Sequence, residues 1–153
     1  MRLIAILYMT ALLVPAVPAQ QKENTMQHRA RGTFTVDIRP LTPPVAAGIG
    51  RFSIDKKLTG DLIGSTQGEM LSGGDPKQGE AGYVAMELFT GTLAAKHGSF
   101  ALQHTATMGQ GAQNMSVTIV PGSGTEDLKG IAGTFSIEIS KGQHSYDMEY
   151  TLP

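Results

Sequence analysis

Few residues of this chain are of types that do acid–base or metal chemistry, and they are scattered. The four His are His28, His97, His104 and His144, and no two lie within five residues of each other. Metal sites bring spaced pairs or clusters, so the expectation is no metal site. No motif asks for a cofactor. His28 falls in a polar lead-in, and His97 and His144 fall at or beside turns. His104 differs, because it shares an alternating face with Phe100 and Leu102. An imidazole there is either a packed core residue or a polar contact and proton carrier in a pocket, since it titrates near neutrality. Glu87 shares a face with Tyr83, Ala85, Phe89 and Leu93. It is either a rim position or a buried acid, and a buried carboxylate needs partners or a raised pKa. Glu69, on the face of Ile63 and Leu71, is a weaker case of the same kind. The candidate ligand-binding set is Glu87, His104, Tyr83, Gln103, Glu69 and Tyr150, with no catalytic role assigned. Gln103 and His104 are adjacent, so at most one of them looks inward.

Motifs with a known mechanism are absent or out of context. Pro121-Gly122-Ser123-Gly124 is Gly-rich but leads into no long helix and no Lys-Ser/Thr pair, so it is not a phosphate loop. Ser53-Ile54-Asp55-Lys56 has the Ser-x-x-Lys spacing of acyl-serine enzymes. That chemistry needs one helical face, and a strand puts positions i and i+3 on opposite faces. Asn114-Met115-Ser116 matches a glycosylation acceptor but lies inside an expected strand. There is no Cys, which excludes disulfides, thiolate zinc sites and a Cys nucleophile.

The elements that must position these residues read as strands. In Gly32–Ile38, Phe34, Val36 and Ile38 alternate with Thr33, Thr35 and Asp37, the pattern of a half-buried strand. Arg39 to Pro44 is expected to break it, because proline cannot donate to a ladder. Further strands are expected over Ile49–Leu58, Leu62–Leu71, Tyr83–Leu93, Phe100–Met108, around Met115–Ile119, around Phe135–Ile139 and over Tyr146–Leu152. The clearest loop is Ser72–Lys77, and one helical turn is expected at Glu126–Lys129. About eight strands with short turns suit an antiparallel up-and-down barrel or a two-sheet sandwich. The barrel is favoured because the strands are long and Gly60, Gly64 and Gly68 recur at spacing four, where a barrel wall bends sharply. The expected fold is all-β, an eight-stranded antiparallel up-and-down barrel with a roomy apolar lumen.

The length, 153 residues, allows one domain. Lys plus Arg is 12 against 13 Asp plus Glu, a net charge of -1, and nucleic-acid binders carry a basic patch. No nucleic-acid partner is expected. At the N-terminus Arg2 precedes the apolar run Leu3–Val14, then Pro15-Ala16-Val17-Pro18-Ala19 and a polar stretch. This is the pattern of a secretory signal peptide cleaved after Ala19. The run is shorter than the roughly 20 apolar residues of a spanning helix, although an uncleaved anchor is the competing reading. The expected organisation is a signal peptide over 1–19, a flexible lead-in over 20–30 and one barrel domain over 31–153. The protein is expected in the periplasm or outside the cell, with no stable membrane span after cleavage.

Taken together, Gly82-Tyr83-Val84-Ala85-Met86-Glu87 with Thr90-Gly91-Thr92-Leu93, Gly98-Ser99-Phe100-Ala101-Leu102-Gln103-His104, Val120–Thr125 with Leu128, Gly130 and Ile131, and His144, Tyr146 and Tyr150 resemble an uncharacterised bacterial family. Its members resemble allene-oxide-cyclase-like β-barrels. The likeness spans roughly 32–153. It implies an eight-stranded antiparallel barrel but no activity, and the leader departs from the pattern of many members. Three functions follow as expectations. The first is an exported barrel binding a small apolar ligand in its lumen. The second is an isomerase or cyclase of an apolar substrate on the same scaffold. The third is a structural or interaction protein with a filled barrel.

Overall fold

Alternation of apolar and polar residues makes each strand two-faced, and a single meander of such strands closes on itself. The computed structural model describes residues 26–153. The strands are β1 (Gln27–Ala46), β2 (Ile49–Gly60), β3 (Leu62–Asp75), β4 (Glu80–Leu93), β5 (Lys96–Gly109), β6 (Ala112–Ile119), β7 (Ala132–Ser140) and β8 (Gln143–Thr151). Each pairs antiparallel with the next, and β8 returns to β1, giving a closed eight-stranded barrel. Closure removes edges wherever each strand is paired on both sides. The expected leader lies outside the described residues.

Three expected boundaries are corrected. Residues 27–30 are strand rather than lead-in: Gln27 to Phe34 pair with Thr151 to His144, and Ala30 is buried opposite Met148. Polar side chains such as Gln27 and Arg29 hid this strand, because they form its outer face. The Arg39–Pro44 segment does not end β1. Its register with β2 runs through Leu41↔Arg51 and shifts only between Leu41 and Ala46. Beyond Phe34, β1 has lost β8 as a neighbour, so a proline there sits on an edge, where a missing N–H is tolerated. The Ser72–Lys77 loop is shorter than expected. β3 continues to Asp75, whose side chain accepts the Lys77 N–H at 2.9 Å and caps a 3-10 turn over Pro76–Gln78. The other expected turn is present as a 3-10 turn over Glu126–Leu128.

The spacing-four glycines mark close approaches of neighbouring backbones. A Cβ at Gly64 would lie 2.3 Å from the Thr90 carbonyl oxygen, and one at Gly68 would lie 1.9 Å from that of Met86.

The two ends of the barrel differ. At one end Leu62, Leu93, Phe100 and Met148 are fully buried, and Leu128 and Ile131 from the β6–β7 connection cover them. Tyr146 latches this end. Its hydroxyl accepts the Leu62 N–H at 2.8 Å and donates to the Thr59 carbonyl at 3.2 Å. At the other end the same core-facing phase continues into solvent. Phe52, Met70, Tyr83 and Met108 are only partly buried, and Ile38 and Ile139 are 46% and 60% exposed. This end is an apolar-lined mouth. Between the two ends the lumen is nearly filled. The cavity bounded by Phe34, Leu58, Val117, Phe135 and Tyr146 measures about 10 Å³, room for about one water. The expectation of a roomy lumen is therefore corrected: aromatic and branched side chains from facing strands meet across it.

Candidate functional site

Four consecutive strands each send one polar side chain into the lumen. β2 supplies Lys56, β3 Thr66, β4 Glu87 and β5 His104, and all four are buried. They meet because of register. Lys56 stands opposite Thr66, while Glu87 stands opposite Gly68 on one side and Leu102 on the other. Gly68 has no side chain to occupy the space beside Glu87.

The carboxylate is the centre of the group. Lys56 Nζ donates to Glu87 Oε1 at 2.5 Å, and Thr66 Oγ1 donates to Glu87 Oε2 at 2.5 Å. The Lys56 ammonium also lies 5.4 Å from the centroid of the Phe34 ring, within cation–π range. His104 Nε2 is 2.9 Å from Glu87 Oε1, yet the ring is out of line for a geometrically good hydrogen bond, and this buried nitrogen has no aligned partner among the described residues.

Burial by itself raises the Glu87 pKa. The neighbouring imidazole and the Lys56 ammonium outweigh that and bring it down from 4.5 to about 2. Glu87 is therefore an ionised, occupied carboxylate at neutral pH. A general base works best with a pKa near the operating pH, so this carboxylate is suited to hold charge in place rather than to take protons. Burial, and secondarily the Glu87 charge, raise the pKa of Tyr83.

The six candidate residues separate cleanly. Glu87 and His104 face inward and meet. Tyr83 faces the same way, half-buried at the mouth. Gln103 points outward into solvent, as its adjacency to His104 requires, and is corrected. Glu69 is also outward. Its two oxygens accept Arg51 Nε at 2.7 Å and Nη2 at 2.6 Å in an exposed cross-strand pair, and the Arg51 hydrogen bond lowers its pKa despite a small opposing cost of burial. The apolar neighbours that suggested burial, Ile63 and Leu71, share that outer face. Tyr150 is buried, but toward the closed end, stacked on His28 with centroids 5.3 Å apart. It takes no part in the cluster.

Lys56 and Thr66 were missed. Lys56 had a signal, since it continues the even-numbered face of Phe52, Ile54 and Leu58. Thr66 lies between two glycines at spacing two and had none.

The family model described as "Protein of unknown function (DUF3224)" matches residues 30–150. No curated protein matches the chain. Among solved structures, a crystal structure of a protein with unknown function from the DUF3224 family, from Shewanella oneidensis MR-1, is similar. It is 36% identical, with a TM-score of 0.76, covering 84% of this chain and 98% of that one. A match over this span, carried by sequence and by backbone alike, shows that this chain belongs to the DUF3224 family of proteins of unknown function.

Proposed function

We propose that this protein is an exported, periplasmic or secreted binding barrel that takes a small, mainly apolar molecule bearing one polar group. The ligand sits in the mouth, not in the enclosed lumen. Its apolar part packs on Phe52, Met70 and Tyr83, and its polar group reaches down to His104. One observation carries the reading: the buried His104 Nε2, 2.9 Å from Glu87 Oε1 but aligned with no hydrogen-bond partner among the described residues, lies beneath core-facing apolar side chains that water reaches. Small-molecule sites are mostly apolar with a few placed polar groups. A buried charged cluster is also a weak source of stability compared with apolar packing, which favours a role in recognition.

The test is binding of an apolar fluorescent probe, anilinonaphthalene sulfonate, together with extraction of small molecules from protein purified out of its host. Probe binding is expected, and Met70→Lys should abolish it while leaving the fold intact. His104→Leu should weaken binding of a ligand with an acceptor group about tenfold, equivalent to about 1.4 kcal/mol. Absent probe binding, or binding indifferent to Met70→Lys, overturns the reading.

The filled-barrel reading, a structural or interaction protein, is favoured by a different observation. Both Glu87 oxygens are already occupied, and the lumen has space of about 10 Å³. Under that reading Lys56, Thr66, Glu87 and His104 pin four strands together and the working surface is outside.

A further inference from the structure

The wall of the barrel is thin at one seam. β6 pairs with β5 over its whole length, but with β7 only at Val117↔Phe135 and Thr118↔Thr134. The phase of β6 follows from one bond: Val120 N–H donates to the Ala101 carbonyl of β5 at 2.9 Å. Even-numbered residues of β6 therefore direct their backbone groups toward β5, and odd-numbered residues direct theirs away from it. Val117 meets Phe135. Among the described residues Gln113 and Met115 have no strand partner on that side, and both are exposed.

Free backbone groups on an edge template pairing with another chain unless charge or proline guards them. β1 also outruns a neighbour, extending past its last pair with β8. That edge carries Asp37, Arg39, Pro40, Pro43 and Pro44. The β6 edge has no such guard: it contains no proline, and no Asp, Glu, Lys or Arg occurs anywhere from Gly98 to Thr125.

We infer that the β6 edge is the interface of a two-fold dimer, in which β6 pairs antiparallel with β6 of a second copy about an axis at Asn114. The register is self-complementary. Gln113 falls opposite Met115 of the partner subunit and Met115 opposite Gln113 of the partner subunit, and each pair exchanges both N–H···O bonds. This is the isologous pattern of two-fold dimers. A second copy is the occupant that fits, because its own edge offers the same unpaired phase. The adjoining outer face of β5 and β6 also carries no Asp, Glu, Lys or Arg, so pairing β6 with its copy brings no like charges of these two strands together.

The experiment is sedimentation velocity across a range of micromolar concentrations on protein purified from its native host, with amide exchange read at residues 112–116. A concentration-dependent dimer is expected, with Gln113 and Met115 amides protected only in the dimer. Gln113→Pro removes an outward N–H without touching the β5 ladder, and Asn114→Lys places like charges at the axis. Each should weaken dimerisation at least tenfold, with unchanged circular dichroism showing that the barrel is intact. A monomer at every concentration overturns the inference. So does a dimer indifferent to both substitutions, or protection of these amides only by an unrelated extended peptide.

Discussion

The closed end and the mouth are built from the same alternating strands, yet one is dry and the other wet. Phe89 and Phe100, toward the closed end, are fully buried with ring centroids 4.9 Å apart. On the same lumenal face Phe52 and Met70 remain partly exposed, and Ile139 largely so. Side-chain phase is equal in the two regions. The difference is the cover: Leu128, Ile131 and the Tyr146 latch close one end, and β8 and β7 stop short of the other. Facing the lumen is thus a local property of a strand, whereas burial is a property of what lies across and above it. The ionic cluster sits at the transition between the two regimes, deep enough to lose water.

Truncations should expose that difference most strongly. Phe100→Ala is expected to destabilise by about 3–5 kcal/mol through the cavity it leaves, measured by denaturant unfolding. Phe52→Ala at the mouth should cost far less, because much of that ring already meets water. Equal losses would erase the distinction between the ends.

At the transition, Lys56→Met alone strands a buried carboxylate and should cost roughly 3–5 kcal/mol. Replacing Lys56 and Glu87 together with methionine should recover most of the loss, since paired apolar replacement of a buried ion pair is often neutral. A double-mutant cycle measures the coupling, and additive losses would mean that the two side chains do not act as a pair.

The acid limb of the stability curve sharpens the same point. Glu87 has a folded pKa of about 2 against an ordinary 4.5. Its contribution is fully present above about 4.5 and is lost as pH falls toward 2. Asp147, held by Arg29 and Arg31, is likewise lowered, from 3.8 to about 2, and acts over the lower part of that window. Glu87→Gln should therefore flatten this limb in part rather than remove it, as read by unfolding between pH 5 and pH 2 (about the window those values span). An unchanged limb would show that the cluster does not carry a displaced titration.

Tyr146→Phe should cost about 1–3 kcal/mol by leaving the Leu62 N–H without its acceptor. Ile139→Ser, at the rim, should stay within about 0.5 kcal/mol, as exposed substitutions do.

The parts legible from residues alone were those governed by local periodicity. Glu87 and His104 were visible as polar interruptions of apolar faces, and both are buried and in contact. Lys56 interrupts the Phe52, Ile54 and Leu58 face in the same manner. A lysine on such a strand is ordinarily taken to snorkel outward, and only a carboxylate arriving from another strand accounts for its burial. Glu69 shows the converse. Its neighbours Ile63 and Leu71 are apolar, but they belong to the outer wall, where Val84, Met86 and Leu88 also stand about half exposed. An apolar stripe therefore does not identify the inner face when both faces carry one.

What the chain determines by itself is the two-faced character of each strand, because successive side chains alternate by covalent geometry. The meander also follows, because short turns make sequence neighbours pair. Only the tertiary structure decided which face was lumenal on β3 and β4, that the lumen was filled, that one end was sealed, and that Lys56, Thr66, Glu87 and His104 met. Those outcomes depend on the register and closure of strands far apart in the chain. They are settled by how much side-chain volume meets in the lumen, which no single strand contains.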